Sequence, residues 1–179
     1  MNPPPAIALI TCESVDTPEK IQRVADLAVP IWREQFTPII GPAQVTFMLE
    51  DWQSPPAITE QIQQGAYYYL VRNHVDYVGY CAWTPDQQGY AKISKFYLLH
   101  EYHGKGYAQE MMQFLEKEAM RHHQSTLWLQ VNRKNHRAIR FYHKCGFHIA
   151  RDRYEEIGPG YFIDDHVMEK HLQPATDTP

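Results

Sequence analysis

The chain has 179 residues, of which 44% are hydrophobic and 13% are aromatic. This composition is sufficient for a packed core and excludes an intrinsically disordered protein. A net charge of -4, with both signs interspersed, excludes a protein built mainly to hold nucleic acid or an anionic membrane. We therefore expect one domain over residues 1–173 and a loose C-terminal tail over residues 174–179.

The cysteines and histidines indicate neither a disulfide frame nor a metal site. Cys12, Cys81 and Cys145 have no CxxC spacing, which is typical of reduced thiols in the cytoplasm. His122 and His123 are adjacent and point to different parts of a helix surface. With no basic region before an apolar run at the start and no apolar stretch of membrane-spanning length, we expect a cytoplasmic protein without signal peptide, metal or membrane partner.

The first part of the chain predicts one strand and then helices. Residues Ala6 to Thr11 form a β-branched apolar run, and Asp16 to Glu19 combines a cap residue with a first-turn proline. Pro30 is expected to kink or interrupt this first helix, which Ile31 to Phe36 then continue. Residues Thr37 to Pro42 are expected to form a loop.

A change from helical to strand-like patterns follows. Ala43 to Trp52 reads as a helix, and Ser54-Pro55-Pro56 separates it from a short helix over Ile58 to Gln64, which Gly65 ends. Three strand-like runs then predict an antiparallel meander. They are Tyr67 to Arg72, Tyr77 to Thr84 and Tyr90 to Leu99.

Helix and strand alternate in the last part of the chain. A helix with apolar residues at steps of three and four begins at Ala108, and a buried strand covers Leu127 to Val131. A further helix begins at Asn135 and ends before Gly146, and Phe147 starts the next strand. Residues Tyr154 to Lys170 read as two strands across a Gly-Pro-Gly turn. The whole pattern predicts an α+β fold with a mostly antiparallel sheet flanked by helices.

A glycine turn, His103-Gly104-Lys105-Gly106-Tyr107-Ala108, joins the third meander strand to the following helix. Its small residues allow close backbone approach, and the N–H groups at the helix start carry partial positive charge that suits a pyrophosphate. The glycines alone also fit a plain strand-to-helix turn. A dinucleotide-binding turn is excluded because Gln109 stands where the third glycine belongs.

Asn135, Ala138 and Tyr142 share one face of the helix after the buried strand, because seven residues make two turns. The small Ala138 leaves room for a ligand along that face. Considered alone, the segment equally fits an amphipathic helix with a buried tyrosine.

Together, the stretch from Lys95 to Phe147 resembles the GCN5-related N-acetyltransferases. Gly106 and Ala108 match the family's acetyl-CoA loop, and His103 departs from it by occupying the Gln/Arg position, although its N–H can still donate to a phosphate. The resemblance implies a twisted sheet that is splayed at the acetyl-CoA site. It implies cofactor contacts from Phe96, Tyr97, Leu98, His103, Gly104, Lys105, Gly106, Tyr107, Ala108, Gln109, Asn135 and Lys144.

The resemblance also implies a reaction in which a free amine attacks the acetyl thioester in a ternary complex. A backbone N–H of the bulged strand would face the oxyanion, and Tyr142 would assist the leaving thiolate. A phenol pKa of about 10 against about 8.5 for a thiol makes full proton transfer uphill by roughly 2 kcal/mol, so a hydrogen bond or a water relay is equally open. Gln130 stands where some relatives have Glu, which leaves Glu101, His100, Asp51 or, preferably, a water as the base.

The acceptor is predicted to be a polyamine or another small cationic amine. The early helices offer acidic and aromatic residues that suit an ammonium group, namely Trp32, Glu34, Phe36, Glu50, Asp51 and Trp52. The segment from Tyr154 to Lys170 is similar to the closing hairpin of PaiA-type spermidine/spermine acetyltransferases. A protein or peptide acetyltransferase and a non-catalytic acetyl-CoA-binding regulator are the alternatives, and either a monomer or a homodimer is compatible with the sequence.

Overall fold

Seven strands, five α-helices and one short 3-10 helix (His100–Tyr102) form the secondary structure of residues 9–173, the part of the chain that the computed structural model describes. The predicted tail over residues 174–179 lies outside this range. The strands are β1 (Thr11–Ser14), β2 (Tyr67–Arg72), β3 (Tyr77–Pro85), β4 (Tyr90–Leu98), β5 (Thr126–Asn132), β6 (His148–Gly158) and β7 (Tyr161–His171). The helices are α1 (Pro18–Ile40), α2 (Pro42–Trp52), α3 (Pro55–Gln63), α4 (Tyr107–Arg121) and α5 (His136–Lys144).

All seven strands join one sheet in the order β1-β2-β3-β4-β5-β7-β6. Strands β4 and β5 pair in parallel, and every other neighbouring pair is antiparallel. The predicted mixed, mostly antiparallel α+β fold is thereby confirmed. The parallel pair lies at the centre, with α4 as the connection between its two strands.

Helices cover both faces of the sheet and divide the core in two. On one face, helices α1 to α3 pack against β2 and β3 through buried residues such as Ile31, Ile58 and Tyr80. On the other face, α4 and α5 pack against the central strands through Met111, Leu115 and others. Because strand side chains alternate between faces, each central strand contributes to both cores.

Helix α1 is longer than predicted, and the interruption expected at Pro30 is wrong. The helix continues through Pro30 and Pro38 to Ile40, so the loop predicted over Thr37 to Pro42 is also wrong. Pro30 lies on the exposed side, where the carbonyl that loses its helical hydrogen bond can be hydrated. Burial of Ala28 and Ile31 on either side keeps the helix continuous.

The first strand is displaced from its predicted position. Residues 6–8 of the predicted run lie outside the described part of the chain, and β1 begins only at Thr11. The strand predicted to start at Phe147 and the first strand of the hairpin predicted over Tyr154 to Lys170 are one continuous strand, β6, which begins at His148. The remaining predicted helices and strands are confirmed to within a few residues.

Gly79 sets the distance between β3 and the end of β4. A Cβ atom at this position would meet the carbonyl oxygen of Tyr97 and would lie 2.8 Å from Leu98 Cδ2. The Leu98 Cα atom would also lie 3.0 Å away. Because the Tyr97 carbonyl and this Cα belong to the backbone of a paired strand, rotation of the Leu98 side chain cannot relieve the clash.

We therefore expect Gly79→Ala to destabilise the protein by about 2–4 kcal/mol through overpacking. The measurement is urea-induced unfolding. Gly65→Ala is the control, because a Cβ atom at Gly65 would have no neighbour within 4 Å. Only the φ of +99° strains the new side chain there, so this substitution should lower the free energy of unfolding by about 1 kcal/mol. Equal stability of Gly79→Ala and wild type would contradict the close approach.

Candidate active site

The central strands β4 and β5 separate after a short paired segment. Pairing covers only Tyr90 to Ile93 of β4 against Thr126 to Leu129 of β5. Beyond it, β4 continues to Leu98 and β5 to Asn132 without hydrogen-bonding to each other. Backbone N–H and C=O groups on the facing edges are therefore available to a ligand that enters between the strands.

A β-bulge in β4 lies at the point of separation. Trp83 pairs with Ile93 and Ala82 pairs with Lys95, so Ser94 is an additional residue without a partner in β3. A bulge of one residue reverses the faces of all later side chains. Lys95 therefore shares the face of Ala82, towards α1 to α3.

Residues after the bulge alternate between the two cores. Phe96 packs with the α4–α5 core, whereas Tyr97 packs with the α1–α3 core. The bulge thus directs Phe96 to one side of the parted strands and Lys95 and Tyr97 to the other.

A cavity of about 630 Å³ occupies the gap between the strands and opens to both faces of the sheet. We call its two parts the α5 side and the hairpin side. Residues of the α5 side include Phe96, His103, Gly104, Ala108, Asn135, Arg137, Ala138, Phe141 and Tyr142. Residues of the hairpin side include Trp32, Phe36, Trp52, Lys92, Lys95, Tyr97, Arg153, Glu155, Ile157, Ile163 and Asp165.

Tyr142 lies on the α5 side and is only 8% exposed. Its ring lies 6.0 Å from Phe96 and 5.9 Å from Phe147, measured between centroids. Burial, with a smaller contribution from the Cys145 thiol, raises the pKa of the Tyr142 phenol well above its ordinary value of 10. The hydroxyl therefore stays protonated at physiological pH and acts as a hydrogen-bond donor.

The glycine turn begins α4 in the way the sequence predicts. Gly104 and Gly106 have φ angles of 73° and 86°, which favour glycine. Gly106 is the residue preceding the helix, and no side chain caps the helix there. The N–H groups of the first turn therefore remain available to an anion beside the cavity.

His103 connects this loop to two other elements. Its Nε2 lies 3.1 Å from the Leu98 carbonyl oxygen, and its Nδ1 lies 2.6 Å from Arg137 Nη1 of α5. Burial and the adjacent guanidinium lower the pKa of His103, so the neutral ring accepts from Arg137 and donates to Leu98. Its backbone N–H donates to His100. This geometry does not support the prediction that a His103 N–H donates to a phosphate; instead, the residue holds the loop in place.

Asn135 begins α5 and lines the same cavity as Tyr142. Its Oδ1 accepts a hydrogen bond from the N–H of Ala138 at 3.2 Å, so its amide NH₂ is the group that can reach a ligand. The structure thus brings Asn135, Ala138 and Tyr142 together, as their spacing predicts.

Five predicted cofactor residues do not line the cavity. Lys105 lies over the ring of Tyr102, and Tyr107 stacks on the same ring. Gln109 accepts from Cys145, which joins α4 to the end of α5. Gly106 acts through backbone conformation, and Lys144 lies in the last turn of α5. Side-chain contacts from these residues stay predictions.

The hairpin side has aromatic walls and a closed end. The Trp32 ring lies 4.7 Å from Phe36 and 5.5 Å from Tyr97. Across the cavity, the β6–β7 turn docks on α2: Tyr161 packs 5.1 Å from Phe47, and Gln44 donates to the Phe162 carbonyl at 2.7 Å. These contacts bridge the end of the groove.

The acidic residues predicted to select the acceptor do not line the cavity. Glu34, Glu50 and Asp51 lie outside it, whereas Trp32, Phe36 and Trp52 line it as predicted. The candidate side-chain bases Glu101 and His100 also lie outside it, and His100 faces Glu34 at 3.9 Å. All the side chains predicted as the base therefore lie outside the cavity, and of the predicted candidates a water remains.

Sequence reasoning missed a group of charged residues on the hairpin side: Lys92, Lys95, Arg153, Glu155 and Asp165. Arg153 and Glu155 form an ion pair. Lys92 lies 5.0 Å from the Trp128 ring centre. The alternating pattern of β4 could indicate Lys92, but Lys95 reaches this face only because of the bulge at Ser94.

Three of these groups have shifted pKa values. Burial, together with the positive charge of Arg153, lowers the pKa of the Lys92 ammonium. Burial raises the pKa of the Asp165 carboxyl to about 6. Burial, together with the positive charge of Lys92, lowers the pKa of the Lys95 ammonium to about 8. Lys95 is 7% exposed and forms no ion pair with any residue between 9 and 173.

Comparison with known proteins decides the family. A model described as the acetyltransferase (GNAT) family matches residues 24–147, which is more than half of the chain. The chain belongs to the GNAT acetyltransferase family. The match covers the bulge, the glycine turn and α5, so the GNAT resemblance inferred from the sequence is confirmed.

Relatives extend this finding. An uncharacterised N-acetyltransferase of Mycobacterium tuberculosis H37Rv is 38% identical over 95 residues, which cover 53% of this chain and 60% of that protein. The PaiA N-acetyltransferase of Thermoplasma acidophilum, solved with coenzyme A, has a TM-score of 0.76 at 18% identity over 90% of this chain and 98% of that one. The spermidine/spermine N-acetyltransferase SpeG of Vibrio cholerae, in mutant forms, has a TM-score of 0.68 at 16% identity over 92% and 94%.

Residues 9–173 show neither a metal-binding cluster nor a membrane-spanning helix. In that range, no three His, Cys, Asp or Glu side chains are grouped so that they could hold a metal ion. Nor does any helix there combine the length and apolar character needed to cross a membrane.

Burial of the Lys95 ammonium is expected to lower the free energy of unfolding. Its pKa is 10.5 when unfolded and about 8 when folded, which corresponds to about 3 kcal/mol of lost stability wherever both states are protonated. Because the folded-state pKa is depressed, this loss is complete below pH 8 and is recovered as the pH rises towards 10.5.

We therefore expect Lys95→Met to be more stable than wild type by about 1–3 kcal/mol at pH 7, with an advantage that shrinks above pH 8. The measurement is urea-induced unfolding without ligand at several pH values. Lys117→Met is the matched control on the exposed surface of α4 and should stay within about 0.5 kcal/mol of wild type. A destabilised Lys95→Met would show that Lys95 has a stabilising partner.

Proposed function

We propose that this protein transfers the acetyl group of acetyl-CoA to the primary amine of a small molecule, by direct attack in a ternary complex. The observation that carries the proposal is the single cavity between β4 and β5. It joins the uncapped start of α4, Tyr142 and a separate aromatic compartment.

Acetyl-CoA fits the α5 side by chemistry and shape. The pyrophosphate would accept hydrogen bonds from the first-turn N–H groups of α4, and the amide-bearing pantetheine arm would pair with the free edge of β4. Asn135 and Ala138 line the path towards Tyr142. The solved PaiA structure, which contains coenzyme A, supports this donor.

The α5 side also supplies groups for the chemical steps. A backbone N–H of β4 near Phe96 would stabilise the tetrahedral oxyanion. As the thioester breaks, the Tyr142 hydroxyl would donate a hydrogen bond to the departing thiolate. Because burial raises the pKa of Tyr142, transfer of the full proton is harder than for a free phenol. We therefore assign Tyr142 the role of a hydrogen-bond donor to the thiolate. A water would remove the proton from the attacking amine.

The hairpin side would hold the acceptor. Its aromatic walls suit the body of a small amine, and the contact of the β6–β7 turn with α2 closes the end where an extended peptide would need space. A polyamine stays the acceptor predicted from the sequence, and the name of the solved SpeG protein supports it. However, Lys92, Lys95 and Arg153 outnumber Glu155 and Asp165 on this surface, so we propose a small amine without restricting it to polyamines.

Acetyl-CoA should raise the melting temperature, since a ligand that binds only the folded state stabilises it. At about 100 times its Kd the gain is about 2.7 kcal/mol, or roughly 5–10 °C for a chain of this size. Differential scanning fluorimetry measures the shift. Acetyl phosphate is the control because it lacks the pantetheine arm, and an equal shift with it would contradict the proposed donor site.

Tyr142→Phe should lower kcat by about 100-fold or more with little change in acetyl-CoA affinity, because only the hydroxyl is removed. Release of free CoA thiol in the presence of an amine gives the rate, and calorimetry gives the affinity. Tyr67→Phe is the matched control, since Tyr67 stacks on Trp83 and does not line the cavity. Full activity of Tyr142→Phe would exclude the assigned role.

A further inference from the structure

Lys95 is a buried cation without a matching anion. It is 7% exposed, it lines the hairpin side of the cavity, and it forms no ion pair with any described residue. A buried ammonium is normally paired, because its transfer from water is costly. Groups kept at such a cost inside a cleft are candidates for ligand recognition.

The neighbouring charges do not supply the missing anion. Glu155 is held by Arg153, with 2.6 Å between Arg153 Nε and Glu155 Oε2. Asp165 lies within electrostatic reach of Arg153 and Lys92. The charge that acts on Lys95 is that of Lys92, which has the same sign. Lys92 already lies within electrostatic reach of Asp165 and Glu155, whereas no carboxylate of the described residues acts on Lys95. The counter-ion that Lys95 lacks would therefore have to come from a ligand.

On the basis of the proposed acetyl transfer, we propose that Lys95, assisted by Lys92, binds a carboxylate of the acceptor. The acceptor class is therefore a primary amine that also bears a carboxylate, as in an amino acid.

The geometry of β4 supports this assignment. Lys95 follows the bulge and directly precedes Phe96, at the parting of the strands. It points towards the hairpin side, whereas Phe96 points towards Tyr142. A carboxylate at Lys95 would hold one end of the acceptor, and its amine would extend into the gap between β4 and β5. The aromatic ring cluster of Trp32, Phe36 and Tyr97 would face its side chain.

The experiment compares matched acceptors that differ at the carboxylate. Acetyl transfer from radiolabelled acetyl-CoA is measured with the common L-amino acids, with their C-terminal amides, with the corresponding decarboxylated amines, and with spermidine. The proteins are wild type, Lys95→Met and the exposed-surface control Lys117→Met. Calorimetric titration of the amino acids into each protein saturated with CoA measures binding independently of turnover.

We expect wild type and Lys117→Met to prefer at least one amino acid over its amide by about tenfold or more in kcat/KM, as for loss of a charge-assisted hydrogen bond. Lys95→Met should reduce this preference to about one while leaving acetyl-CoA affinity unchanged. Calorimetry should show the same loss of amino-acid binding.

Three results would overturn the carboxylate site. The first is a wild-type preference for amides, decarboxylated amines or spermidine over amino acids. The second is an unchanged preference for the amino acid in Lys95→Met. The third is an equal loss of activity of Lys95→Met with all acceptors, which would indicate that Lys95 acts as a base. If no amine is acetylated at all, the proposed transferase function fails. The calorimetric comparison then still decides whether Lys95 binds a carboxylate.

Discussion

The separation of β4 from β5 is the constraint on which the site depends. Only four residue pairs join these parallel strands, so the hydrogen-bonding capacity of both edges beyond Ile93 and Leu129 is left for a ligand. The rest of the sheet keeps the gap open. Antiparallel pairing of β4 with β3 and of β5 with β7 holds each strand from its other side, and Gly79 allows β3 to approach the end of β4 closely.

The single extra residue at Ser94 gives the gap two chemically different sides. Without it, Lys95 would share the face of Ile93 and point into the α4–α5 core, where a charge could not be accommodated. With it, the apolar Phe96 meets α5, and Lys95 meets the compartment closed by the β6–β7 hairpin. One insertion thus separates the proposed donor-binding surface from the proposed acceptor-binding surface.

Much of this architecture could be predicted from the sequence, because it depends on local signals. Strand alternation, Gly104 and Gly106 at the start of α4, and the seven-residue spacing of Asn135 and Tyr142 each act over a few residues. The predictions fail where distant contacts decide. Burial around Pro30 overrides its helix-breaking tendency. Lys95 reaches the cavity only because of the bulge in β4, and Asp165 reaches it only because β5 pairs with β7. No short sequence pattern reveals either feature.

The Leu98 carbonyl receives hydrogen bonds from two faces of the sheet. Gln35 of α1 donates to its oxygen at 2.8 Å, and His103 of the glycine turn donates to it at 3.1 Å. Because a carbonyl oxygen has two lone pairs, this atom has no acceptor capacity left for a ligand. An extended ligand that adds to the edge of β4 must therefore end its pairing before this oxygen. In this way, α1 and the glycine turn together fix the register in which such a ligand lies along the strand.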